Sequence, residues 1–208
     1  VEPQGPAHFL PGSTTEFIWL AQRDGYYHLW LHNTETLKAR ELEKGDYVVT
    51  SVDGFDNNGN VYYTSTEVSP LQRHFYKLNI NSGDKTRITQ KHGTHKVLPS
   101  KSGKFFIDYY TSTDVPRNID LMDDKGRLFE RLFEAENPIK DYNIGVTEID
   151  TITAEDGQAL YVRIIKPYNF DENKKYPVIV YVYGGPHAQL ITDTRLGGGG
   201  TYLHYIGH

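Results

Sequence analysis

The residues best suited to chemistry stand at the end of a long apolar run. Residues 177–183 are apolar or aromatic, include four β-branched side chains and stop at Gly184, Gly185 and Pro186. Such a run is typical of a strand buried on both faces. Tyr183 then carries a hydroxyl donor into a turn that the glycines allow to bend and that Pro186 stiffens. Tyr183 is either a polar group presented at a sheet edge or an ordinary aromatic residue that completes a core strand, and the pattern alone favours the second.

Two other segments have spacings that could suit a metal ion. His92 and His95 lie three residues apart, but no acidic residue or third histidine accompanies them, so a turn is the better interpretation. Residues 53–60 resemble a calcium loop, yet Gly54 stands where the first acidic ligand is required. An Asn-Gly hairpin turn ending at Gly59 explains that segment better. We therefore expect no metal site and no cofactor.

The composition excludes several classes of protein. Of the 208 residues 38% are hydrophobic, enough for a packed core, and 22 basic against 27 acidic side chains give a net charge of −5. The basic residues are scattered, so nucleic-acid binding is not expected. No apolar run approaches the roughly 18 residues of a membrane span, so no membrane segment is expected in this chain. The lack of cysteine rules out disulfides, thiol catalysis and cysteine-ligated zinc.

The first two thirds of the chain repeat. The segment YYTSTEVSP, which begins at Tyr62, recurs as YYTSTDVP from Tyr109, 47 residues later. Leu31, Leu78 and Leu121 fall at matching points, spaced 47 and 43 residues apart. A unit of this length that holds about four short antiparallel strands is typical of a β-propeller blade. The alternative is an antiparallel sandwich with accidental similarity between its strands.

The predicted fold is mainly β, with two regions. Residues 1–136 are expected to form the last blades of a partial β-propeller, each a four-stranded antiparallel sheet. Three blades cannot close a ring, so the chain is expected to be a slice of a larger propeller. Residues 137–208 are expected to form a linker and the truncated beginning of an α/β-hydrolase domain. Two alternating strands joined through an Asp-Gly turn at 156–157 lead into the apolar run described above.

One continuous pattern gives the second region a specific resemblance. The sequence IIKPYNFDENKKYPVIVYVYGGPHAQ, residues 164–189, resembles the entry to the catalytic domain of the prolyl oligopeptidase family of serine peptidases. Within that family it is most similar to the dipeptidyl peptidase IV branch, including bacterial dipeptidyl and prolyl tripeptidyl peptidases. That branch has an N-terminal β-propeller followed by an α/β-hydrolase domain, the same order that the repeats and strands predict.

The resemblance assigns a role to the Tyr-Gly-Gly-Pro turn. It implies that Tyr183 donates a hydrogen bond in the oxyanion hole, since attack on a peptide carbonyl creates an alkoxide that a fixed phenol can stabilise. Gly184, Gly185 and Pro186 would shape the turn beneath the substrate, and His187 would border the site. The implied activity is release of N-terminal dipeptides or tripeptides after proline.

The catalytic serine itself is missing from this sequence. No Gly-x-Ser-x-Gly nucleophile elbow occurs, and Ser102 and Ser112 lie in blade segments without a companion base nearby. The resemblance implies that the serine, aspartate and histidine of the triad lie beyond residue 208. We expect the chain to be a catalytically inactive fragment of the enzyme. The alternative is a non-enzymatic propeller module that binds a protein or glycan.

The resemblance also implies partners and a compartment. The substrates would be peptides with proline near the N-terminus. Many relatives are homodimers, so the full-length protein would be one as well. Export to the periplasm or another extracytoplasmic space is favoured.

Overall fold

The computed structural model describes residues 4–185 and 189–195, which form strands and turns without a helix. The first sheet contains β1 (Gln4–Phe9), β2 (Glu16–Gln22), β3 (Tyr27–Asn33) and β4 (Ala39–Glu41). The second contains β5 (Val49–Phe55), β6 (Asn60–Ser65), β7 (His74–Asn79) and β8 (Lys85–Arg87). The third contains β9 (Thr94–Pro99), β10 (Phe105–Thr111), β11 (Asn118–Asp123) and β12 (Leu128–Glu134). A separate hairpin consists of β13 (Thr147–Thr153) and β14 (Ala159–Ile165).

The repeat predicted from the sequence is confirmed. The three sheets begin at residues 4, 49 and 94, a spacing of 45 residues in each case. Each has four antiparallel strands in chain order, so every strand pairs with the next one along the sequence. Connections of this kind need only short turns, which explains why the period is visible in the sequence.

The second sheet is buried on both faces between its neighbours. Along β6, Tyr63 belongs to a buried cluster shared with the first sheet, whereas Tyr62 belongs to a cluster shared with the third. In β7, Tyr76 belongs to the cluster shared with the first sheet and Phe75 to the cluster shared with the third. Successive side chains of a strand point to opposite faces, so a pair of adjacent aromatic residues fills both interfaces. Burial of each large side chain contributes about 1.5–3 kcal/mol.

The turn at residues 56–60 is a hairpin connection between β5 and β6, as predicted. Asp56 Oδ1 accepts hydrogen bonds from the backbone N–H groups of Asn58 at 2.8 Å and Asn60 at 3.1 Å. Asp56 Oδ2 accepts one from the Tyr62 hydroxyl at 2.9 Å. The Asn60 side-chain amide, which donates to Asp56 Oδ2 at 2.8 Å, acts with these contacts to hold the pKa of the Asp56 carboxyl below its usual value, although burial opposes them. The Asp56 carboxylate therefore stabilises the turn between β5 and β6.

The predicted hairpin of the last third is also confirmed. Its strands pair in register from Thr147–Ile165 to Thr153–Ala159. Gly157 has a φ of 87°, the left-handed conformation that a three-residue loop of this kind requires at its last position.

The predicted strand at 178–183 is wrong in this structure. Residues 177–184 carry no strand pairing and are exposed, with Val178 at 81% and Tyr183 at 60%. The apolar pattern shows only that this segment could form a buried strand if other strands paired with it. A strand forms only when neighbours supply backbone hydrogen bonds and a covering layer, and none of the described strands lies beside it. The beginning of an α/β-hydrolase domain stays a prediction.

Candidate functional site

The backbone of Gly185 passes close to the ring of Tyr183. A Cβ atom on Gly185 would lie 2.5 Å from a ring carbon of Tyr183, whereas Gly184 has open space around it. A side chain at position 185 would therefore require the exposed phenol of Tyr183 to move. Pro186 and His187, the other predicted members of this turn, lie outside the described residues.

The two serines considered as nucleophiles belong to turns. Ser112 is fully buried, and its Oγ accepts backbone hydrogen bonds from Asp114 at 3.3 Å and Val115 at 3.2 Å. Ser102 lies in the turn before β10, where its Oγ lies 3.2 Å from Ser100 Oγ. Neither contacts a histidine in these bonds, so neither is activated in the manner of a catalytic serine.

His92 and His95 face different partners and do not form a common metal site. His95 is buried, with Nδ1 at 2.8 Å from Asp108 Oδ2 and Nε2 at 2.9 Å from the carbonyl oxygen of Lys91. His92 is half exposed, and its Nδ1 lies 2.9 Å from Asp193 Oδ2. His92 lies in the connection between the second and third sheets, as predicted, whereas His95 lies on strand β9.

Asp193 gathers groups that are far apart in sequence. Its buried carboxylate accepts hydrogen bonds from Gln72 Nε2 at 3.3 Å, from the Thr113 backbone N–H at 3.0 Å and from the Thr113 hydroxyl at 3.3 Å, besides the contact with His92. The Asp193 backbone N–H donates to the carbonyl of Leu71 at 2.8 Å. One carboxylate thus joins the loop before β7, the loop before β9 and the loop after β10. The sequence contains no local pattern that could have identified it.

A cavity of about 480 Å³ opens beside Asp193, between the second and third sheets and the hairpin. Arg163 Nη2 donates to the carbonyl of Thr192 at 2.6 Å, and Arg195 Nη1 donates to the carbonyl of Thr113 at 2.8 Å. The Nε atoms of both arginines are buried without a hydrogen-bond partner, and burial lowers the pKa of Arg163. The cavity is lined by Leu71, Thr113, Asp114, Ile139, Ile144, Gly145, Thr147, Ile149, Arg163, Asp193 and Arg195.

Comparison with known proteins shows that the chain is similar to parts of dipeptidyl peptidases. The family model for the dipeptidyl peptidase IV N-terminal region matches residues 1–117, more than half of the chain. Human dipeptidyl peptidase 8 is 30% identical over 144 residues, which cover 64% of this chain and 16% of that protein. A probable dipeptidyl-aminopeptidase B of Coccidioides posadasii is 27% identical over 208 residues, which cover 92% of this chain and 23% of that protein.

Solved structures match the same architecture. A candidate dipeptidyl aminopeptidase IV from Bacteroides ovatus has a TM-score of 0.90 and 36% identity, and the match covers 100% of this chain and 32% of that one. Porphyromonas gingivalis dipeptidyl peptidase 4 has a TM-score of 0.85 and 27% identity, covering 97% of this chain and 28% of that one. The chain spans a third or less of these relatives. With three successive four-stranded sheets and a family match over residues 1–117, the chain belongs to the dipeptidyl peptidase IV family and carries blades of the β-propeller of its N-terminal region.

Proposed function

We propose that this chain is part of a serine exopeptidase that releases N-terminal dipeptides or tripeptides after proline. The observation that carries the proposal is the family match, together with relatives named as dipeptidyl peptidases and dipeptidyl aminopeptidases. These names favour an enzyme over a propeller module that only binds a protein or glycan. Because the chain spans 16% to 32% of the relatives described above, the complete catalytic apparatus requires more of the protein.

Tyr183 is the residue of this chain that we assign to the chemical step. Its phenol would donate a hydrogen bond to the oxyanion that forms when a serine attacks the peptide carbonyl. Gly184 and Gly185 would bring the backbone close beneath the substrate, which is supported by the open space around Gly184. Pro186 would stiffen the turn, and His187 would border the bound peptide.

The blades would wall the cavity that receives the peptide and so limit its length. The nucleophile, its base and the orienting acid are not assigned to residues of this chain, which we propose is inactive alone. Substrates with proline near the N-terminus, a homodimeric assembly and an extracytoplasmic location belong to the same proposal. Among the residues that the structure describes, no helix has the length and hydropathy to cross a membrane.

The test is hydrolysis by the complete gene product that contains this chain. Gly-Pro and Ala-Ala-Pro chromogenic amides are compared with Gly-Gly and Ala-Ala-Gly amides of the same lengths. We expect cleavage of one of the two proline substrates, with little cleavage of its glycine counterpart, and inhibition by a fluorophosphonate that labels one serine. Equal rates on proline and glycine substrates would contradict the proline preference. Failure to cleave any of them, together with the absence of fluorophosphonate labelling, would contradict the peptidase.

A further inference from the structure

In the first sheet, one histidine and two carboxylates from different turns and strands lie close together. Asp24 lies in the turn before β3, His28 lies on β3, and Glu41 ends β4. One ligand atom from each residue lies within 4.8 Å of the other two. His28 Nδ1 is 3.1 Å from Asp24 Oδ2 and 3.9 Å from Glu41 Oε1. Pairing of β3 with β4 brings Glu41 close to Asp24 and His28.

The other ring nitrogen fixes the tautomer of His28. Nε2 lies 3.1 Å from the backbone carbonyl oxygen of Tyr47, which can only accept a hydrogen bond, so Nε2 carries the proton. The neutral ring then presents a lone pair at Nδ1. A histidine that ligates a metal through one nitrogen commonly donates its other N–H to a backbone carbonyl in this way.

The lone pair of Nδ1 faces the carboxylate oxygens of Asp24 and Glu41, which also accept hydrogen bonds. When Nδ1 of His28 carries no proton, the ring and the two carboxylates are three electron-pair donors pointed at one another, an arrangement that either a proton on Nδ1 or a bound metal ion relieves. His28 is completely buried, whereas the side chains of Asp24 and Glu41 are 42% and 30% exposed, so an ion could enter from solvent and retain water ligands.

Nearby protein cations are engaged elsewhere. The Arg23 guanidinium lies 4.3 Å from the centre of the Trp30 ring, and Arg40 Nη2 donates to the carbonyl of Ile80 at 2.8 Å. Within residues 4–185 and 189–195, no lysine or arginine forms an ion pair with Asp24 or Glu41. The neighbouring carboxylate of Glu43 is also occupied, because it accepts hydrogen bonds from the Leu29 backbone N–H and the Tyr47 hydroxyl.

We propose that Asp24, His28 and Glu41 bind one divalent transition-metal ion of the zinc class, with water in the remaining coordination positions. One imidazole and two carboxylates suit Zn²⁺ better than Mg²⁺, which favours an all-oxygen shell. Metal–ligand distances of about 2.0–2.2 Å need ligand atoms about 3–4 Å apart, so only a small movement of the exposed carboxylates is required. The ion would clamp the turn before β3 to the edge strand β4. This site is independent of the proposed peptidase chemistry.

The experiment is a Zn²⁺ titration of the 208-residue chain, followed by isothermal calorimetry and by long-range ¹H–¹⁵N spectra of the histidine rings. In the wild type we expect saturation of a single tightest site, with the spectral change of His28 at Nδ1 while Nε2 keeps its proton. Asp24→Asn and Glu41→Gln are partly exposed changes that preserve shape, and each should weaken that site at least about tenfold. Glu35→Gln, in the exposed turn between β3 and β4, and Asp124→Asn, in an exposed turn of the third sheet, are the matched controls and should bind as the wild type does. Circular dichroism confirms that each variant remains folded.

Two results would overturn the metal site. The first is a wild-type Zn²⁺ affinity that Asp24→Asn and Glu41→Gln leave unchanged, which would assign binding to other histidines. The second is a His28 spectrum with both nitrogens protonated that Zn²⁺ does not alter, which would make the cluster an ion pair within the protein. Mg²⁺ should leave the His28 resonances unchanged at concentrations where Zn²⁺ saturates them.

Discussion

The hydroxyl of Tyr183 separates two explanations of the Tyr-Gly-Gly turn. As an oxyanion donor it would act only when negative charge develops, whereas as a strand-ending aromatic residue it would act through its ring. The substitution Tyr183→Phe in the complete enzyme removes the donor and keeps the ring. We expect kcat to fall about 10²- to 10³-fold with KM nearly unchanged, because the bond forms fully in the transition state.

Steady-state kinetics and a thermal melt of the same Tyr183→Phe protein check this expectation. The melting temperature should stay at the wild-type value, since the side chain is 60% exposed in this structure and the apolar surface is retained. An unchanged kcat with an unchanged melting temperature would end the oxyanion assignment. Tyr181→Phe, two residues earlier and also exposed, is the matched control and should keep full activity.

His74 gives the molecule a predicted dependence of stability on pH. Burial, followed by the nearby His95 and Arg87 charges, lowers the pKa of His74 to about 4. The unfolded chain, with a histidine pKa near 6.5, binds this proton more readily than the folded one. Stability from this residue is therefore complete above about pH 6.5 and is lost as pH falls from there to about 4, by roughly 3 kcal/mol.

Urea denaturation at pH 7.5 and pH 5 tests the His74 prediction. The wild type should lose more free energy of unfolding between these pH values than His74→Gln does, since glutamine does not titrate. The absolute stability of the variant is expected to be lower, because His74 contacts Thr89 and Gln72 through both ring nitrogens. Equal losses in the two proteins would show that His74 is not buried in its neutral form.

At the level of the elements, the contact between the second and third sheets depends on a small aromatic cluster. Phe106 of β10 is 1% exposed and meets the rings of Tyr62 and Phe75, each with centroids 5.4 Å away. Phe106→Ala leaves a cavity that rigid strands cannot close, so we expect a loss of about 3–5 kcal/mol in the free energy of unfolding.

Phe129→Ala is the matched control for that element. Phe129 lies on the edge strand β12 and is 66% exposed, so the same truncation should cost less than about 1 kcal/mol. Equilibrium denaturation in urea measures both changes. Similar losses in the free energy of unfolding from the two substitutions would contradict the burial of Phe106 between the second and third sheets.

The edge strand of the third sheet exposes apolar side chains. Leu128, Phe129, Leu132 and Phe133 of β12 are all about half exposed or more. Adjacent residues such as Leu128 and Phe129 point to opposite faces of the strand, so apolar surface is exposed on both sides of this edge. The fourth strands of the first two sheets, β4 and β8, are also mostly exposed.

On the scale of the whole molecule, the 208-residue chain should not hydrolyse Gly-Pro chromogenic amides at any pH. The reason is chemical: Ser102 and Ser112 are committed to turns, and no nucleophile elbow occurs in the sequence. The measurement is an amidase assay on the repurified chain beside the complete enzyme. Turnover that persists after repurification and that a serine-directed reagent abolishes would show that the chain contains a nucleophile that we have not identified.

The three sheets and the hairpin could be predicted from local sequence patterns. Their strands pair with neighbours along the chain, so turn residues such as Gly157 and alternating pairs such as Tyr62 and Tyr63 encode them locally. The family resemblance likewise depended on a continuous motif, residues 164–189, that needs no coordinates to be recognised.

Contacts between residues far apart in the chain could not be predicted from sequence patterns. The apolar run that ends at Tyr183 indicates a buried strand, yet it pairs with none of the described strands, because sequence gives a strand its propensity and only neighbours give it hydrogen bonds. Asp193 meets His92 across 101 positions, and Glu41 meets His28 through strand pairing. Such polar contacts have no period along the chain, since their geometry arises when separate turns and strands come together in space.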